Sequence, residues 1–253
     1  MDENRIENAP PAIGTVDELA AFLELPLLAP VLSEEQVHAG LAVAREFALA
    51  AVCVRPCDVD VAVRGLSRSQ VKVAAAVSYP DGSATTSVKL YEARDALRRG
   101  ARELDVVVNL GMMYSRQFVR VESELTQLAA VCREHEARLK AVFEFPVLNH
   151  ELRIIACKLA RRTGVDFVAN STGRVRQENF ASELQLALDR RFGLFEVKAV
   201  GAAETAESVL GLVSSGARRL AVRKPEAVLE EFRKKLEAEK QPGAAGPATP
   251  AAS

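Results

Sequence analysis

Short apolar runs alternate with longer amphipathic stretches along most of this chain. The runs AAVCVRP, VKVAAAVSY, ELDVVVNL, LKAVFEF, DFVANS, FEVKAVG and RRLAVR are rich in valine and alanine and bounded by turn residues, so each predicts a buried strand. LPLLAPVL is read as an earlier strand, although its two prolines fit a ladder poorly. Apolar residues at helical spacing follow each run. They predict helices over SEEQVHAGLAVAREF, near 58–66, over TSVKLYEARDALRRG, from Phe118 to Glu136, and over NHELRIIACKLARRTG, ENFASELQLALDRR, TAESVLGLVSSG and PEAVLEEFRKKLEAE. A short helix, TVDELAAFLE, precedes them all. The end signals agree with these bounds. Thr15, Ser33 and Asn149 are N-cap residues, and Gln36 completes a capping box with Ser33. Gly100 and Gly164 mark helix stops, and Pro225 suits a first turn.

Eight strand-plus-helix units at a spacing of roughly 25 to 30 residues predict an α/β protein with one (β/α)8 TIM barrel behind a short N-terminal helix. A doubly wound open sheet is the structural alternative, but no GxGxxG turn follows the first strand. The barrel is expected over residues 15–240. Residues 1–14 are polar and contain proline, residues 241–253 form a Pro/Ala/Gly tail, and both ends are expected to be disordered.

Composition narrows the function classes. Lys and Arg number 33 against 34 Asp and Glu, a net charge of −1, which points neither to nucleic acid nor to a membrane surface. Cys53, Cys57, Cys132 and Cys157 form no CxxC pair, and His38, His135 and His150 are scattered, so no metal site and no cofactor are expected. Free thiols, a polar acidic N-terminus and the lack of a bilayer-length apolar run lead to the expectation of a cytoplasmic protein. Many barrels dimerise, and a homodimer is compatible with this architecture, but no exposed apolar stripe in the sequence locates an interface.

A barrel keeps its chemistry at the C-terminal ends of its strands. Those ends supply Arg55, Tyr79, Asp105, Asn109, Gly111, Lys140, Glu144, Ala169, Asn170, Ser171, Lys198, Gly201, Arg223 and Lys224. Asp105 and Lys198 stand out as ionisable residues inside apolar strands, where an unpaired charge is costly. Two readings are open. Asp105, Lys140 and Lys198 form a structural ion cluster, or a desolvated lysine among other cations acts as a nucleophilic amine.

From about Leu23 to Val222 the ordered motifs AAVCVRP, VKVAAAVSYPDGSATTSVKLYEARDALRRGARELDVVVNLG, DFVANSTG, VKAVG and SSGARRLAV resemble the deoxyribose-phosphate aldolase family. The resemblance implies a (β/α)8 barrel and a metal-free class I aldolase. Such an enzyme reversibly cleaves 2-deoxyribose 5-phosphate to glyceraldehyde 3-phosphate and acetaldehyde through a lysine Schiff base. It implies catalytic roles for Asp105, Lys140 and Lys198. It also implies that the Schiff-base position, within a motif that normally resembles DFVKTSTG, is occupied here by Ala169. The first-strand motif, similar to DHTLLKP in the family, is ELPLLAP, with Glu24, Pro26 and Ala29 at the changed positions. The family's phosphate site corresponds to Ser171, Thr172, Gly173 and Arg174, to Gly201 followed by Ala202, and to Arg223 and Lys224 in place of a serine pair.

Two consequences are expected. Efficient aldol cleavage is lost or weak unless Lys198 takes over as the amine. Alternatively, the cations Arg55, Arg174, Arg223 and Lys224 around the mouth serve a repurposed, non-catalytic barrel that binds a small phosphorylated or otherwise anionic metabolite. Arg223 and Lys224 are consecutive, so only one of them can point inward.

Overall fold

The computed structural model describes residues 12–175, 180–189, 192–193 and 195–240. The segments 1–11 and 241–253, which carry nearly all of the expected disordered ends, lie outside the described residues, as does the start of the helix read over ENFASELQLALDRR. Eight parallel strands close into a barrel in sequence order. They are β1 Leu23–Leu27, β2 Ala51–Val54, β3 Lys72–Val77, β4 Glu103–Val107, β5 Arg138–Val142, β6 Phe167–Ala169, β7 Glu196–Val200 and β8 Arg219–Ala221. The helices are α1 Val16–Ala20, α2 Glu34–Glu46, α3 Val59–Gly65, α4 Thr86–Arg98, α5 Leu110–Tyr114, α6 Phe118–Glu134, α7 His150–Thr163, α8 Phe180–Ala187, α9 Ala206–Ser214 and α10 Pro225–Lys240. The single TIM barrel expected from the pattern is therefore the fold. No helix among the described residues is long and apolar enough to cross a membrane.

The local reasons match the chemistry of the caps. Ser33 accepts from the Gln36 backbone while Gln36 accepts from the Ser33 backbone, closing a capping box at α2. Asn149 accepts from the Leu152 backbone and starts α7. One element is placed differently from expectation. The first helix stops at Ala20 and the first strand is Leu23–Leu27, not LPLLAPVL. Pro26 is tolerated there because, two residues on from Glu24, it faces β8 beyond the last paired residue of that strand, Ala221, and Glu24 becomes a strand residue pointing into the barrel.

The large apolar core lies outside the barrel wall, between sheet and helices, and includes Val52, Val54, Val73, Val77, Leu104, Val106, Leu139, Ala141, Val168, Val197 and Leu220. The residues alternating with them point inward. They include small residues such as Cys53, Ala74, Ala76 and Ala169, the apolar Val107, Val142 and Phe167, and a set of charged side chains.

The loop from β3 to α4 is pressed onto the end of β4. Gly82 has φ +66°, and a Cβ there would stand 2.3 Å from the Val108 carbonyl oxygen. Gly82→Ala is expected to cost about 2–3 kcal/mol, from left-handed strain together with a backbone clash. Urea unfolding would read this as a lower midpoint with an unchanged slope.

Candidate active site at the barrel mouth

Six charged side chains fill the lower barrel. They are Glu24 from β1, Glu103 and Asp105 from β4, Lys140 from β5, Lys198 from β7 and Arg219 from β8, and all are buried. Lys140 Nζ lies 2.6 Å from Glu24 Oε2, 2.6 Å from Glu103 Oε2 and 2.9 Å from Asp105 Oδ1. The Asp105 approach is an ion pair without hydrogen-bond alignment. Lys198 Nζ donates to both Glu24 and Asp105. Arg219 forks onto Glu103 at 2.9 and 3.0 Å and reaches Glu24 at 3.1 Å. Three carboxylates meet three cations, so the buried cluster is neutral as a whole.

The titration behaviour follows from that balance. Burial alone would raise the Glu24 carboxyl, but Lys140, Lys198 and Arg219 outweigh it and hold Glu24 well below the usual carboxylate range. Glu103 is lowered in the same way by Lys140 and Arg219 against its burial. Burial alone would lower Lys198, yet Asp105 and Glu24 more than reverse this, and the amine is raised above its ordinary value. Lys140 is raised for the same reason by Asp105, Glu24 and Glu103. Both lysines are therefore ammonium ions at neutral pH.

Above this layer the barrel is apolar. Ala169 is in register with Val142 on one side and Lys198 on the other. Val107, Val142 and Ala169 form one small cluster, Cys53, Ala74 and Ala76 another, and the half-buried ring of Tyr79 packs against both. The Tyr79 hydroxyl donates to the Thr172 carbonyl at 3.3 Å and accepts from Arg174 Nε at 3.1 Å. The Arg174 guanidinium also lies 5.7 Å from the centre of the Tyr79 ring. A side chain from the end of β3 thus crosses the mouth to the loop after β6.

The remaining expected positions divide into occupied and open groups. The Ser171 and Thr172 hydroxyls both donate to Glu144, a buried carboxylate that also takes the Thr172 backbone N–H at 3.0 Å. The Gly173 and Arg174 backbone N–H groups bond to the Ser171 and Thr172 hydroxyls at 2.9 and 3.2 Å. Arg55 is committed to Asp58 and to the carbonyls of Ala29, Pro30 and Leu32. Arg223 pairs at 3.1 Å with Glu204 on the surface, and Lys224 is exposed. Among the described residues the backbone N–H groups of Gly201, Ala202 and Ala203, just beyond β7, have no partner.

Glu24, Cys53 and Asp105 bring potential ligand atoms within 4.8 Å of one another. Both carboxylates are already neutralised by ammonium groups, and burial pushes the Cys53 thiol well up, so it stays protonated. That donor set does not fit a metal ion.

Comparison with known proteins is decisive about family. No family model matches the chain. The deoxyribose-phosphate aldolase of Clostridium kluyveri is 36% identical over 203 residues, covering 80% of this chain and 93% of that one. The chain belongs to the deoxyribose-phosphate aldolase family. The deoxyribose-phosphate aldolase of Thermoanaerobacter pseudethanolicus is 31% identical over 217 residues, covering 85% of this chain and 97% of its own. The solved deoxyribose-phosphate aldolase of Aeropyrum pernix, described as a unique tetramer, superposes with a TM-score of 0.80 at 25% identity over 88% of this chain and 94% of its own.

Beyond the positions singled out in the sequence, the site of this deoxyribose-phosphate aldolase relative depends on Glu103 and Arg219, which bond to each other inside the barrel. The alternation of Glu103 with Asp105 is a local signal that both face inward. The Tyr79–Thr172 contact joins residues 93 apart in sequence and has no local signal.

Proposed function

We propose that this chain keeps the deoxyribose-phosphate aldolase barrel without the Schiff-base cleavage of 2-deoxyribose 5-phosphate, and that its mouth binds a small phosphorylated or otherwise anionic metabolite. The observation that carries this reading is the pairing at β6 and β7. Ala169 stands where the family resemblance calls for the imine-forming lysine, and in register beside it Lys198 is held as an ammonium by Glu24 and Asp105. An imine needs a free amine, and a protonated one between two carboxylates is not a nucleophile. Asp105, which the resemblance assigns to proton transfer, and Lys140 are engaged in the same neutral cluster.

Anion binding is supported by the three unpartnered N–H groups of Gly201, Ala202 and Ala203, flanked by Arg174 after β6 and by Arg223 and Lys224 after β8. Arg174 and Lys224 are the closer fit to this role, since Arg223 is paired with Glu204. Ser171, Thr172 and Gly173 act by shaping the loop that carries Arg174 rather than by offering free donors. Self-association belongs to the same reading, by analogy with the tetrameric relative.

Two measurements test it. Borohydride reduction with acetaldehyde or 2-deoxyribose 5-phosphate is expected to leave the intact mass unchanged, and an adduct mapped to Lys198 would overturn the loss of imine chemistry. Calorimetric titration with inorganic phosphate is expected to show binding that Lys224→Gln weakens several-fold.

A further inference from the structure

The mouth that the proposed function assigns to an anion is bridged by Tyr79, and the walls beneath that bridge are almost wholly apolar. Tyr79 sits on Cys53, Ala74 and Ala76 on one side and on Val107, Val142 and Ala169 on the other, with Leu28 at the edge. The polar groups below are neutralised by one another and offer little to a substrate hydroxyl or carbonyl. A chain of sugar hydroxyls placed here would exchange water for methyl groups, leaving its donors and acceptors unpaired.

We infer that the mouth selects an organic phosphate or carboxylate with a short apolar body over a polyhydroxylated one, and that the ligand enters by drawing Arg174 away from Tyr79. This inference rests on the anion-binding reading above and adds to it the nature of the ligand body and the part that moves. Arg174 is exposed, and it holds Tyr79 only by a hydrogen bond to a neutral hydroxyl and a ring contact. An oxyanion gives a guanidinium charge-assisted, two-pronged hydrogen bonds, which are stronger than either. Once Arg174 turns to the anion, Tyr79 keeps only its long 3.3 Å bond to the Thr172 carbonyl. The backbone below Tyr79 is braced, since the Ser78 N–H donates to Glu92 at 2.8 Å and the Gly82 N–H to the Ser78 carbonyl at 2.8 Å. The moving part is therefore the Tyr79 side chain and not the loop. The vacated ring position opens onto Val107, Val142 and Ala169, the surface an alkyl group would cover.

The probes are inorganic phosphate, n-butyl phosphate and glycerol 3-phosphate, titrated into the full chain by calorimetry and by tyrosine emission. The chain has three tyrosines and no tryptophan, so emission from Tyr79 is readable. n-Butyl phosphate is expected to bind at least about tenfold more tightly than glycerol 3-phosphate, since each methylene fully buried is a factor of about four. Emission is expected to change on binding in the wild type but not in Tyr79→Phe. That variant lacks the hydroxyl latch and is expected to bind n-butyl phosphate a few-fold more tightly. Arg174→Gln, a change at an exposed position, is expected to weaken all three probes. Equal affinity for the alkyl and polyol phosphates, or the same emission change in Tyr79→Phe, would overturn the inference while leaving anion binding intact. Absence of binding by every probe, inorganic phosphate included, would remove the anion-binding reading and this inference with it.

Discussion

The wild-type protein is expected to cleave 2-deoxyribose 5-phosphate at least about 10^4-fold more slowly, in kcat/KM, than its Clostridium kluyveri relative assayed alongside. The size of the gap follows from losing a covalent step rather than a contact, since positioning and electrostatics alone leave only a small residue of catalysis. Ala169→Lys is the informative variant. The new side chain would rise from β6 in register with Lys198 and above the neutral cluster. Glu24 and Asp105 are already bonded to Lys198, so the added amine would have a cation beside it and no carboxylate of its own. Both that cation and desolvation favour its neutral form, the arrangement that makes a lysine nucleophilic. Borohydride trapping is expected to give one adduct, on the introduced lysine, and turnover is expected to rise at least about 100-fold above the wild type. It should stay below that of the relative, because the Tyr79 ring packs on Ala169 and would have to yield to the longer chain. Adding Tyr79→Phe to Ala169→Lys, which frees the ring from Thr172 and Arg174, is expected to give a further few-fold gain. Wild-type turnover at ordinary enzyme rates would contradict the whole account of Ala169 and Lys198.

How far this was legible in the chain depends on the range of the interaction concerned. The barrel could be read because its signals are local. Ser33 with Gln36, Asn149 with the Leu152 backbone, and valine-rich runs alternating with amphipathic ones each act within a few residues. The first strand is the exception, because TVDELAAFLE continues a helical pattern through Glu24 while Pro26 argues against a strand. Closing the barrel against β2 and β8 overrides both tendencies and turns Glu24 inward. Asp105, Lys140 and Lys198 were recognisable as charges in apolar strands. That they form a neutral set could not be counted without Glu24, Glu103 and Arg219, because the hydrogen bonds that tie the six together join residues 93 to 195 apart in sequence. The mouth was the least legible part. Its closure depends on a contact between Tyr79 and the loop after β6, and the turning of Ser171 and Thr172 onto Glu144 depends on the end of β5.

The neutrality of that buried set carries the second large expectation. Lys140→Met should destabilise the fold by about 3–5 kcal/mol, because it leaves Glu24, Glu103 and Asp105 facing only Lys198 and Arg219 with an uncompensated buried charge. Glu24→Gln should cost a comparable amount for the opposite reason, since Lys140, Lys198 and Arg219 would then share two carboxylates. The double variant Glu24→Gln/Lys140→Met restores equal numbers of each sign. It should therefore be less destabilised than the sum of the two single changes by a margin on the order of 1–3 kcal/mol, measured as a coupling energy from urea unfolding. Acid adds an independent reading of the same cluster. Glu24 and Glu103 are both held below the ordinary glutamate value of 4.5, so as pH falls past that value the unfolded chain takes up protons that the folded barrel does not. Proton uptake by the unfolded chain favours unfolding. The stability these carboxylates contribute is thus complete above about pH 5 and is lost progressively as pH drops toward their folded-state values. The double variant removes Glu24 from this account, so its unfolding free energy should fall less steeply below pH 4.5 than that of the wild type. Additive single changes, or acid slopes that coincide, would show that the six side chains do not act as one neutral unit.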